Sequence, residues 1–196
     1  VRRGTSEGRG GTGIVYLFPA GNGGNDRFPD DSNFDAQANS RYVLAIGGVG
    51  DDGKRAAYSE PGANVLVSTP SGDRATHYLT TTDITGNPGY NNGRTPGEPS
   101  NANYTQTFDG TSASTPNASG VVALLLQANP ALTWRDVRRV LALSARRNDS
   151  RHADWTTNGA GHAVNHDYGF GVVDATAAVR LAKTYDAGVP EVNFES

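Results

Sequence analysis

Residues 109–128 read Asp109-Gly110-Thr111-Ser112-Ala113-Ser114-Thr115-Pro116-Asn117-Ala118-Ser119-Gly120-Val121-Val122-Ala123-Leu124-Leu125-Leu126-Gln127-Ala128. A run of small hydroxylated residues leads directly into six consecutive apolar ones, Val121 to Leu126. The stretch Ser119 to Ala128 is apolar nearly all round, which predicts a central, buried helix. Pro130 stops it, and Pro116 is expected in its first turn, where a missing N–H costs little. A helix N-terminus leaves backbone N–H groups unpaired and carries partial positive charge. A serine there has its hydroxyl beside donors that can stabilise a developing oxyanion. Two readings of Ser112 stand at this point: a nucleophile, or a plain helix cap.

Upstream lie three short apolar runs rich in strand formers: Ile14 to Phe18, Tyr42 to Ile46, and Asn64 to Val67. Strands apolar on both faces suit a parallel sheet covered by helices. The first run ends in Pro19-Ala20-Gly21-Asn22-Gly23-Gly24, a strong breaker. Ligand sites of open α/β sheets lie at such strand ends. Asn22 is therefore either a donor facing Ser112 or the left-handed residue of a plain turn. Downstream, Thr133-Trp134-Arg135-Asp136 has the pattern of a capping box and opens an amphipathic helix to about Ser144. Another helix is expected from Asp174 to about Thr184. Together these give an α/β class, a mainly parallel sheet flanked by helices, over residues 1–185, with 186–196 a tail or linker. Residues 1–13 read as a loop. Residues 86–101 hold four Gly and three Pro and read as a mobile surface excursion.

Composition narrows the function. The 196 residues carry 17 basic and 20 acidic side chains, a net charge of -3. Bulk attraction to nucleic acid or anionic lipid is not the expected role. The Arg-rich stretch 135–151 has six Arg against two Asp and no interleaved aromatic ladder, and it reads as a solvated face. No apolar run is long enough to span a bilayer. There is no Cys, which excludes disulfides, thiolate metal sites and cysteine nucleophiles. There is no Met either, and Val1 is read as a processed or cut end, so any leader would lie upstream.

Gly110-Thr111-Ser112-Ala113-Ser114-x-Pro116 and Ala20-Gly21-Asn22-Gly23 together resemble the subtilisin-like serine endopeptidases. The likeness sharpens toward the kexin/furin branch through further segments. These are Arg9-Gly10-Gly11, Asn33, Asp35, Asn39-Ser40, Tyr58-Ser59-Glu60, Leu132 to Val137, Trp155-x-Thr157-Asn158-Gly159, and Tyr168 to Ala175. The resemblance implies the subtilisin-like fold, Ser112 as nucleophile and Asn22 as oxyanion donor. It implies Asp30 and Glu60 as calcium ligands, and Asp35 as the carboxylate that receives a basic side chain at the residue before the cut. Without it, residues 26–35, with Asp26, Asp30, Asp31 and Asp35, would read as a solvated acidic loop. Ser32 and Phe34 stand where animal members carry cysteines, and the loop is two residues longer before Asp30.

The family's base and its orienting carboxylate lie in upstream motifs that this sequence lacks. None of His77, His152, His162 and His166 sits in the family's histidine context. The resemblance thus implies the C-terminal portion of a catalytic domain, without its N-terminal strands. It also implies a secreted or extracytoplasmic, calcium-dependent protease whose partner is an N-terminal fragment of the same domain and whose substrates are proteins or peptides. The competing expectations are an inactive pseudoprotease or binding fragment, and a subtilisin relative without basic preference.

Overall fold

A computed structural model describes residues 1–25, 27, 29–73 and 75–188. Three strands form a parallel sheet in the order β1 (Tyr16–Pro19), β2 (Val43–Val49), β3 (Val65–Pro70). Tyr16 stands opposite Val43 and Pro19 opposite Ile46; the β2–β3 register shifts between Ala45 and Ile46. All seven residues of β2 are buried, as its apolar sequence demands for a central strand. β1 is an edge among the described residues, and each of its four residues is only partly buried. Past β3, β4 (Leu79–Thr82) and β5 (Tyr104–Phe108) pair antiparallel as a separate ribbon.

Helix α1 (Arg2–Glu7) occupies a segment expected to be a loop. Its one buried residue is Thr5, and the Arg3–Glu7 pair lies along its exposed side. Helix α2 runs Thr111–Ala128, α3 Trp134–Ser144, and α4 Ala175–Thr184. The capping box of α3 is present: Asp136 N–H donates to Thr133 Oγ1, and Thr133 N–H donates to Asp136 Oδ2. The core joins Leu44, Ile46, Leu66 and Val67 of the sheet to Ala118, Val122 and Leu125 of α2. Val137, Val140 and Leu141 of α3 and Ala178 and Ala182 of α4 complete it. Each fully buried Leu or Val here is worth roughly 1.5–3 kcal/mol of transfer free energy.

Two expectations about α2 change. The helix begins at Thr111, so Pro116 falls in its second turn, and the Ser112 carbonyl loses its partner at i+4. The helix is also buried on one stripe only, Ala118, Val122 and Leu125, while Ala123 and Leu124 are exposed. A helix apolar all round needs cover on both sides, and the described residues supply one. The tail expected over 186–196 lies, from residue 189 onward, outside the described residues, as does Asp26.

Candidate active site

The end of β1 and the start of α2 are stitched together by side-chain hydrogen bonds. After Pro19, the Ala20 N–H still donates to Ile46 O, and then the chain turns at Gly21, with φ +115°. A Cβ at Gly21 would stand 2.3 Å from the Glu60 carboxylate, so this position needs glycine twice over. Asn22 Oδ1 accepts from the Thr111 N–H at 2.8 Å and from Thr111 Oγ1 at 2.9 Å. Fixing the amide oxygen in this way orients the Asn22 NH2 as a donor. Gly110, the N-cap, has φ +90° and lies against the same amide.

Four hydroxyls occupy the first turns of α2, and the bonds they make distinguish them. Thr111 is tied to Asn22 and Gly21, while Ser114 and Thr115 both donate back to Thr111 O. Ser112 is exposed, and its hydroxyl makes no hydrogen bond among the described residues. The cap position belongs to Gly110, with no side-chain cap bond, so the plain-cap reading of Ser112 does not hold. Ser112 and Asn22 line one cleft of about 470 Å³, together with Tyr58, Tyr90, Phe108 and Asp109. Burial, with the Asp109 and Asp73 carboxylates adding to it, raises the Tyr58 hydroxyl above its ordinary range and keeps it a proton donor. A larger cavity of about 640 Å³, lined by Trp134, Arg138 and Phe170 among others, shares no residue with this cleft.

The carboxylates lie one layer away. Glu60 is buried, with 7% of its surface exposed, and its Oε1 accepts from the Gly23 N–H at 2.9 Å. The Asp30 N–H donates to Gly23 O at 3.1 Å, so both residues hang on Gly23. Burial is the main cause of the upward shift of the Glu60 carboxyl; the Gly23 N–H opposes it, and the charges of Asp30, Asp35 and Asp31 add to it. Among the described residues, no three His, Cys, Asp or Glu converge as a metal cluster. What joins Asp30 to Glu60 is the Gly23 backbone, which the Asp30 N–H and the Glu60 carboxylate meet from either side.

Asp35 is placed differently. Its Oδ1 accepts from the Gln37 and Ala38 N–H groups, both at 2.7 Å, capping a local turn, and it does not line the Ser112 cleft. None of the four histidines lines the cleft either. His77 pairs with Asp51, His152 with Asp167, and His166 with Asp154; His162 meets the edge of Phe170. Pattern reading had no access to Thr111 as the tie to Asn22, to Gly23 as the shared anchor, or to the wall made by Tyr58, Tyr90 and Phe108. Thr111, Gly23 and Tyr58 each stood in a motif the sequence singled out, but Tyr90 and Phe108 did not.

The sequence matches the Subtilase family, Peptidase_S8, over residues 3–171. It is 38% identical over 186 residues to "Proprotein convertase subtilisin/kexin type 7" of Mus musculus, covering 94% of this chain and 22% of that protein. It is 36% identical over 190 residues to furin of Homo sapiens, covering 96% and 22%. The chain spans about a fifth of the length of these curated relatives. Among solved structures, the serine protease of Aeromonas sobria in complex with its chaperone is similar, with a TM-score of 0.82 and 29% identity. That likeness covers 91% of this chain and 38% of the other.

Proposed function

We propose, for a chain that belongs to the subtilase family, that it carries the nucleophile and oxyanion half of a serine endopeptidase cleaving after basic residues. The observation that carries this reading is the uncommitted Ser112 hydroxyl at the helix start, in one cleft with an Asn22 amide whose oxygen is pinned by Thr111. In the reaction, Ser112 Oγ attacks the scissile carbonyl carbon as a base takes its proton. The tetrahedral oxyanion is held by the Asn22 NH2 and by the Ser112 N–H in the first turn of α2. Collapse breaks the C–N bond, the protonated base returns its proton to the leaving amine, and water then hydrolyses the acyl ester.

None of the four histidines lines the Ser112 cleft, which supports a base supplied from elsewhere. We place it, with its orienting carboxylate, on an N-terminal portion of the same catalytic domain. The edge position of β1 among the described residues and the exposed Ala123 and Leu124 of α2 support such a cover, since both are surfaces a folded domain would bury. Mass analysis of the native preparation checks this: a lone chain 1–196 that cleaves at enzyme-like rates would refute it.

Asp35 is the residue proposed to receive the basic side chain of the substrate. A charge-assisted pair is worth roughly 1.5–3 kcal/mol. Asp35→Ala is accordingly expected to lower the kcat/KM ratio of Arg over uncharged peptides by about 10–100-fold. An unchanged ratio would favour the second reading, a subtilase without basic preference. One observation favours that reading: the Asp35 carboxylate caps its own turn and stands outside the cleft.

Calcium belongs to the same proposal. Asp30 and Glu60 offer only oxygen ligands, and their charges repel unless a hard cation joins them. Bound there, calcium would supply charge neutralisation beneath the Asn22 loop. At about a hundredfold excess over its Kd it would add about 2.7 kcal/mol of stability. Chelation is expected to lower Tm by roughly 5–10 °C for a domain of this size and to reduce activity with it. Indifference of both to a chelator would remove the site. An extracytoplasmic location belongs to the same proposal, since calcium sites of extracellular modules fill at the calcium levels found there. Fractionation with the cytoplasm would count against it. No helix among the described residues is long and apolar enough to cross a membrane.

A further inference from the structure

The excursion between β4 and β5 is tied down from within. Asn91 is fully buried; its Nδ2 donates to Pro99 O and Tyr104 O, both at 2.8 Å, and its N–H donates to Asp83 Oδ2 at 2.7 Å. Gly89 lies so close to the same carboxylate that a Cβ there would stand 2.2 Å from it. Glu98 accepts from Thr105 Oγ1 and from the Gln106 N–H, both at 2.8 Å, and so clips the far end of the loop to β5. The surface excursion expected from its Gly and Pro content thus carries its own set of internal hydrogen bonds.

Tyr90 sits between Gly89, which lies close against the Asp83 carboxylate, and Asn91, whose N–H donates to that carboxylate. Its side chain is 68% exposed and meets Phe108 edge-on, with ring centroids 6.1 Å apart. Both rings line the Ser112 cleft, and both also line a second hollow of about 410 Å³ with Ile84, itself 61% exposed. The two cavities share a wall. Large apolar side chains held in the open beside a cleft mark a binding surface.

We propose that Tyr90, with Phe108 and Ile84, forms a subsite for a large apolar side chain of the substrate on the leaving-group side of the scissile bond. This rests on the reading of Ser112 as nucleophile. Continuity with the Ser112 cleft makes the substrate chain itself the occupant. Its direction rests on the same reading: Asp30 and Glu60 hang on Gly23 beside Asn22, with the Asp35 charge reaching Glu60, and that end is the one proposed for the residue before the cut. The Tyr90–Phe108 end is left for residues after it. An extended peptide advances about 3.3 Å per residue with side chains alternating, so one within the first three can settle between Tyr90 and Ile84.

The test uses the complete enzyme, with the portion that bears its base, and peptides identical up to Arg. The three residues after the cut are varied singly among Leu, Phe, Gly and Asp. At one of these positions kcat/KM for Leu or Phe should exceed that for Gly by about tenfold, the usual weight of a filled apolar pocket. Tyr90→Ala should bring that ratio within about twofold of unity, and Tyr90→Phe should keep it, because the ring face and not the hydroxyl makes the contact. A parent enzyme that does not cut after Arg overturns the reading of the site itself. A parent that cuts with a flat preference, or a ratio that survives Tyr90→Ala, overturns the subsite alone.

Discussion

Replacing Ser112 by Ala, in the enzyme completed by its base-bearing portion, is expected to lower turnover by about 10⁶-fold. That magnitude is subtilisin's own for loss of its nucleophile, carried over by family membership. The fold should tolerate the change. The Ser112 hydroxyl is exposed and makes no hydrogen bond among the described residues, so its removal leaves no buried group unpaired. Its neighbours behave otherwise: Ser114 and Thr115 spend their hydroxyls on Thr111 O, and Thr69 Oγ1 donates to Ser114 O across the core. A fluorophosphonate should therefore label Ser112 and no other serine, and the label should vanish in Ser112→Ala while Tm stays within a degree or two. Labelling mapped to Ser114, or undiminished in the variant, would sink the nucleophile assignment. No labelling of the complete native enzyme would favour the inactive binding fragment.

The sheet was legible because its strands are short apolar runs closed by Gly, Pro and Asp turns. Boundaries moved by one to three residues: the first run, Ile14 to Phe18, became Tyr16–Pro19, with Pro19 tolerated on the edge. The capping box of α3, Thr133 with Asp136, was legible as a local bond, whereas for α4 only the helix from Asp174 was expected, not the Asp174 cap on the Ala177 N–H. Helix α1 was not, since Arg2 to Glu7 has no apolar stripe and draws on a single buried residue, Thr5. The start of α2 near Ser112 was legible from Gly110, Pro116 and the apolar run, but what holds residues 111–119 in the helix was not, since they are hydroxylated and small. Their helical state depends on bonds back to Thr111 and across to Asn22, 89 residues away, which no periodicity records. Arg9 is a comparable case. It has φ +51°, and its guanidinium donates to Gly13 O, Leu132 O and Pro130 O, clamping the first segment to the loop before α3. The sequence pattern marks Arg9-Gly10-Gly11 without disclosing this task.

Asn22 is where the tie that holds the site and the chemistry can be separated. Its Oδ1 holds Thr111 by two hydrogen bonds, and its NH2 is the proposed oxyanion donor. Asn22→Ala removes both functions at once. Turnover should fall about 10²–10³-fold, the effect of losing the equivalent donor in subtilisin, which is the source of that figure. Stability should fall as well, by about 1–3 kcal/mol, because the part-buried Thr111 N–H loses its acceptor, while the Thr111 hydroxyl keeps Gly21 O. Asn22→Asp divides the two effects. A carboxylate still accepts from Thr111, and the start of α2 favours its negative charge, so Tm should stay near that of the parent. Yet the second oxygen would now face the developing oxyanion with like charge, so turnover should fall at least as far as in the Ala variant, with KM little changed. Equal losses of stability in both variants would mean that the tie is not made by Oδ1. An Asp variant that retained turnover would mean that the negative charge of the tetrahedral intermediate is met by some other group.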